Sequence, residues 1–108
     1  MLLVCRFAIA PAESARFRGR ARHALELTAQ PGCLGGELGR AIEDVERWTL
    51  IVRFASVDAY RRALGPFPVR EHVAPLLAEA LTDEPATFET LVAGIAGTTE
   101  DHASLLAE

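Results

Sequence analysis

The 108-residue sequence contains no lysine; all eleven of its basic residues are arginine. We read this as genome composition, but it excludes one function directly. The glycine-rich stretch GCLGGELG, residues 32–39, lacks the Lys and the strand-to-helix context of a phosphate loop. Cysteine is scarce too. Cys5 and Cys33 form no CxxC pair, so they read as buried free thiols, and a disulfide would require them to be neighbours in space. The three histidines, His23, His72 and His102, share no HxH or HxxxH spacing, and no metal site or bound cofactor is expected. Ser14, Ser56 and Ser104 lie in no nucleophile elbow. No long hydrophobic run exists either. MLLVCRFAIAP at the N-terminus is too short and interrupted to span a membrane and has no charged lead segment, so a cytoplasmic, membrane-free protein is expected. Net positive charge is also missing. The balance is −4 with a pI near 5.4, and from Glu71 onward there are eight acidic residues and no arginine. Nucleic-acid binding wants the opposite. Arg16, Arg18, Arg20 and Arg22 look like a basic patch when read linearly. Steps of two do not share a helix face, so they read mainly as solvated surface.

What is present is a globular composition, 50% hydrophobic and 24% charged, at single-domain length. Residues 2–10 alternate with two largely apolar faces, as a strand does, and Pro11 ends them. Residues 13–30 change to helical period, with Phe17, Ala21, Ala24, Leu25 and Thr28 on one face, and Pro31-Gly32 stops the helix. Residues 33–41 alternate again, weakened by glycines that mark a bulge or a close backbone approach. After the connection at 42–46, residues 47–54 form the clearest strand, with Trp48, Leu50, Val52 and Phe54 on one side. Ser56 is placed to cap a short helix over 57–64. Val69, Val73, Leu76, Leu77 and Ala80 mark a second helical stripe, kinked or restarted at Pro75. Residues 86–92 read as the last strand. Residues 94–108 read as a tail with a short helix over 102–107.

The order β-α-β-β-α-β predicts an α+β, ferredoxin-like split arrangement, a four-stranded antiparallel sheet with helices on one face. The other sheet face is apolar as well. A second copy laid sheet face to sheet face would cover it, so a homodimer is expected.

The stretch AQPGCLGGELGRAIEDVERWTLIVRFASVDAYRRAL, with Pro31-Gly32, Gly36 to Gly39, Trp48 to Phe54, Ser56 to Leu64 and a closing FETL at residues 88–91, resembles the antibiotic biosynthesis monooxygenase domain family. That family is a branch of the dimeric α+β barrel superfamily. The resemblance covers residues 1–93 and implies that fold and dimerisation through the sheets. Members include cofactor-free oxygenases of anthrone-like polyketides or quinols, heme degraders, and isomerases or dehydratases of small molecules. The Asn, Trp and His of heme degraders fall near Cys5, Ala63 and His72, so only the His is kept. The oxygenase branch also resembles a set built on Asn, Trp and Arg, whereas Trp48 here is on a strand.

Six residues stand out as candidates. His72 can exchange a proton near neutral pH, or it is a helix-surface residue. Arg6 lies mid-strand among apolar neighbours, where it needs a ligand oxygen or a carboxylate such as Glu37 or Glu89. Arg53 raises the same question. Tyr60 either turns its hydroxyl to a cavity or packs in the core. Trp48 is a pocket wall or a core residue. Phe67, in a Gly-Pro-flanked linker, is placed as a cavity lid. The catalytic expectation is His72 as base, Arg6 or Arg53 as anion holder and Tyr60 as orienter, with Trp48 and Phe67 lining the substrate pocket. The reaction would be a cofactor-independent monooxygenation of a small aromatic polyketide or quinol. The alternatives are a non-catalytic dimer that binds a small aromatic ligand, and a heme-binding or heme-degrading protein.

Overall fold

The computed structural model describes residues 1–106. The elements run β1 (Leu2–Ala8), a 3-10 turn (Pro11–Glu13), α1 (Ser14–Thr28), β2 (Cys33–Arg40) and β3 (Arg47–Phe54). They continue with α2 (Val57–Ala63), α3 (Phe67–His72), α4 (Ala74–Ala78), β4 (Thr87–Phe88), β5 (Val92–Ile95) and β6 (Thr98–Asp101). The main sheet has the order β2-β3-β1-β4 with antiparallel pairing throughout. This is the ferredoxin-like α+β arrangement, with the helices on one face.

Strand alternation decides which residues meet the helices. Leu3, Cys5 and Phe7 of β1 and Trp48, Leu50, Val52 and Phe54 of β3 are buried under Phe17, Ala21 and Ala24 of α1 and Val69, Val73 and Leu76 of the later helices. Two glycines let the layers close. Gly32 has a φ of +92°, open to glycine at little strain, and its Cα side faces the Ala59 methyl. Gly36 lies where Leu25 of α1 presses onto β2. Ser56 caps α2, its Oγ accepting from the Ala59 N–H at 3.0 Å. The helical stripe expected after Pro68 breaks at Val73, just ahead of Pro75, giving two short helices. The opposite sheet face carries Leu2, Val4, Arg6, Ile51 and Arg53, aligned by the register Leu2 to Arg53 and Val4 to Ile51.

The C-terminal part departs from expectation. The last strand is two residues long, pairing only with Leu2 and Leu3. Farther along, the edge of β1 is already satisfied: the Val4 N–H donates to the Ala86 carbonyl, and the Arg6 carbonyl accepts from Leu81 N–H. The chain leaves the sheet and folds back on itself as the β5–β6 hairpin. The turn places Ala96 at φ 48° and Gly97 at φ 85°, two left-handed residues of the kind that join tight hairpins. In place of the expected short helix, residues 102–106 are irregular; Ala107, the last residue of that expectation, lies outside the described residues. No helix among the described residues is long and apolar enough to cross a membrane.

Candidate functional site

The sizeable space between the layers is at the β2 edge of the sheet. Arg18 and Arg22 are four residues apart on α1 and so share a flank, with Leu25 and Glu26 continuing it. On β2, Leu38 and Arg40 lie opposite Leu50 and Trp48 and therefore on the helix side. These residues enclose an open cleft of about 570 Å³ with Trp48 in its wall. Trp48 is held from within. Phe7 and Phe17 rings are 4.9 Å apart, and Phe17 meets the Trp48 ring edge-on at 5.5 Å. From outside, the Arg40 guanidinium lies 5.2 Å from the Trp48 ring centroid. The Trp48 indole nitrogen is buried and has no hydrogen-bond partner. Such an unmet donor costs about 1–3 kcal/mol.

Charge in the cleft is one-sided. Arg16 pairs with Glu13 and Arg20 with Glu79. Arg18, Arg22 and Arg40 have no carboxylate within ion-pair distance among the described residues. Glu26, the acidic residue of the lining, has its carboxylate 3.6 Å from His23 Nδ1. Deeper between sheet and helices lies a void of about 10 Å³, apolar apart from Thr28, whose hydroxyl donates to the Ala24 carbonyl.

The six residues expected from the sequence do not converge in the single chain. Arg6 and Arg53 lie on the sheet face away from the helices. Arg6 pairs with Asp83 at 3.2 Å and Glu84 at 3.3 Å, not with Glu37 or Glu89. Glu89 instead accepts from Ser104 Oγ and the Leu105 N–H, and Glu37 is on β2, with β3 between it and β1. The His72 side chain is 49% exposed where α1 meets α3, its ring edge-on to His23 at 5.0 Å and its Nε2 3.9 Å from Glu71. Phe67 is 66% exposed at the start of α3. Tyr60 is half-buried with its ring 5.5 Å from Phe54. Burial, and secondarily the nearby Cys5, push its hydroxyl pKa up. Burial likewise raises the Cys5 thiol. Trp48 alone of the six lines the cleft. Of the three heme-degrader positions, Cys5 and Ala63 are buried in the apolar core while His72 stands outside it. Among the described residues no three His, Cys, Asp or Glu side chains gather as a metal-ligand group.

Arg18, Arg22 and Arg40 were not singled out as site residues in the sequence. The available signal was the spacing of four between Arg18 and Arg22, and of three between Arg22 and Leu25.

Comparison with known proteins then places the chain. Its fold matches SnoaB from Streptomyces nogalater, described as a cofactor-independent oxygenase and solved as an asparagine-to-alanine mutant. The TM-score is 0.64 and the identity 26%, over 74% of this chain and 82% of that one. The present sequence contains no asparagine. A conserved protein from Methanosarcina mazei matches with a TM-score of 0.64 at 20% identity, over 77% of this chain and 82% of that one. A Mycobacterium tuberculosis protein matches with 0.61 at 21% identity, over 77% and 84%. No curated protein matches in sequence. The sequence pattern of the family described as antibiotic biosynthesis monooxygenase matches residues 1–74, more than half the length, and the chain belongs to that family.

Proposed function

We propose that the protein is a cofactor-independent monooxygenase acting on a small, electron-rich aromatic substrate, a polyketide or quinol, seated in the cleft between α1 and β2. The observation that carries this reading is the cleft itself. It is large enough for a fused-ring ligand, within the roughly 300–1,000 Å³ common for small-molecule sites, and Trp48, Leu25 and Leu38 give it a flat apolar lining. The likeness to SnoaB supports the reaction type.

The chemistry needs little from the protein. Loss of a proton makes an anthrone-like ring carbanionic enough to give electrons to dioxygen. A ring methylene and O2 become a carbonyl and water, so the substrate is both reductant and oxygen acceptor. Glu26 is the lining carboxylate able to take the proton, and Leu25 and Leu38 support the ring beside the Arg40–Trp48 stack. Tyr60 and His72 stand apart from the cleft, so in this reading they act on the fold around it.

The same reading includes a homodimer that completes the α+β barrel. Leu2, Val4 and Ile51 are half-buried on the open sheet face of a single chain, and Phe88, paired with Leu2, is 43% exposed. A second copy laid on that face would cover them and bring partner groups to Arg6 and Arg53. Sedimentation at twice the 11.7 kDa chain mass is expected.

The test is oxygen uptake by metal-free protein, with no flavin added, over a panel of anthrones and hydroquinones. Saturable uptake is expected, with Glu26→Gln lowering kcat about 100-fold. Uptake no faster than the protein-free control across the panel would end the oxygenase reading and leave a ligand-binding dimer.

A further inference from the structure

We infer that the cleft selects a ring bearing a fixed negative charge, an aromatic carboxylate, and that Arg18, Arg22 and Arg40 are its specificity residues. This rests on the cleft being the substrate site, as proposed above, and adds the substrate's charge class. The argument begins with what surrounds the three guanidiniums. Two other arginines of the same helix are matched with carboxylates, Arg16 with Glu13 and Arg20 with Glu79. Arg18 and Arg22, on the flank that lines the cleft, are matched with none among the described residues, and neither is Arg40 across from them. Three positive groups converge on one space that has a single acidic lining residue, Glu26.

Geometry narrows the ligand further. A guanidinium is a planar fork that meets a carboxylate through two parallel N–H bonds. Arg18 and Arg22 present two such forks from one helix turn. Arg40 is laid over the Trp48 ring instead, so it caps a flat slot while keeping its own N–H donors at the rim. A planar ring would rest on Leu25 and Leu38 beside the Arg40–Trp48 stack, with its carboxylate toward the helix arginines. A neutral ring would use only the apolar half of this lining.

Trp48 is the only tryptophan of the chain and reports on the cleft directly. The experiment titrates 2-naphthoate and anthraquinone-2-carboxylate against their uncharged parents, naphthalene and anthraquinone, following Trp48 fluorescence with free tryptophan as the optical control. The carboxylates are expected to bind at least tenfold more tightly. The advantage should shrink about fivefold for each of Arg18→Gln and Arg22→Gln, the upper end for an exposed ion pair, and partly survive in the Lys variants. These arginines are exposed and unpaired, so the variants should fold; circular dichroism checks this. Equal binding of charged and neutral rings would overturn this inference and leave the aromatic cleft standing. An advantage unchanged in both Gln variants would remove the arginines from it. Failure of every ring to bind would overturn the cleft as a substrate site and this inference with it.

Discussion

Replacing Gly36 with alanine tests the contact that shapes the cleft. A methyl built on Gly36 would lie 2.6 Å from the Ile51 carbonyl oxygen, 2.9 Å from Leu25 Cδ2 and 3.2 Å from Val52 Cα. Favourable carbon contacts begin near 3.5 Å, so all three neighbours must give. Two of them are backbone atoms of β3, the neighbouring strand, which is paired on both sides. The third, Leu25, can swing, but it lines both the cleft and the small void beneath. Overpacking of this kind costs about 1–3 kcal/mol. Alanine recovers about 0.4–1 kcal/mol by restricting the unfolded chain. The net loss is about 1–2 kcal/mol, or roughly 5–10 °C in Tm for a domain of this size. Urea unfolding at fixed protein concentration, followed by circular dichroism and Trp48 fluorescence, should show a lower midpoint with an unchanged slope. The companion variant is Gly19→Ala on the exposed side of α1, where nothing lies within 4 Å of the added methyl. It should gain about 0.5–1 kcal/mol. If Gly36→Ala matched Gly19→Ala in sign, α1 would not rest on β2 through Leu25, and the cleft drawn between them would be wrong.

Two further outcomes follow from single contacts. Ser56→Ala removes the acceptor for the Ala59 N–H and should cost about 1 kcal/mol in thermal or urea unfolding, loosening the helix that carries Tyr60. The pair between Arg20 and Glu79 fastens α1 to the end of α4. The hydrogen bond from Arg20, aided by its charge and opposed by slight burial, holds the Glu79 carboxyl below the usual range. A folded-state value below the unfolded one means the stabilisation is present above the ordinary carboxylate range and is lost as pH falls through the lowered value. Arg20→Ala should therefore destabilise by under about 1 kcal/mol at neutral pH, the pair being half-exposed. Stability measured against pH should show that gap closing in acid, whereas a gap constant with pH would show the loss to be packing by the arginine stem.

Much of the fold was legible because its signals are local. Alternation in residues 47–54 set the buried face of β3, Pro31-Gly32 ended α1, and Ser56 announced α2. The C-terminal part was illegible for a physical reason. Residues 89–92 leave the sheet because the antiparallel register sets Phe88 opposite Leu2 and Thr87 opposite Leu3, so β1 has no strand left for residues beyond 88 to pair with; that register is set by tertiary pairing and not by local pattern. The hairpin turn uses Ala96 in the left-handed region, where alanine is no turn signal. His72 lies one turn from Leu76 and near the Val69 and Val73 face, a boundary position that left both a cavity-facing and a surface ring open. Its ring turns along the surface to His23, a direction fixed by how α3 lies on α1.

The arginines of α1 show how a correct rule can hide a site. Arg16, Arg18, Arg20 and Arg22 do not share a face, and that was reason enough to read them as solvated surface. Read by fours, the series separates into Arg16 with Arg20 and Arg18 with Arg22. The structure treats the two pairs differently: acidic side chains from the preceding turn and from the end of α4 reach the first, while the second is left facing Arg40 and Trp48. Of the arginines on α1, the unmatched pair is the one that lies beside the chain's one indole. Phe17, Ala21, Ala24 and Thr28 turn one face of α1 to the sheet, with Leu25 beside them against Gly36, and that rotation carries Arg18 and Arg22 to the β2 flank. The way the whole buried face of α1 lies on the sheet thus separates the arginines that meet carboxylates from those that line the cleft.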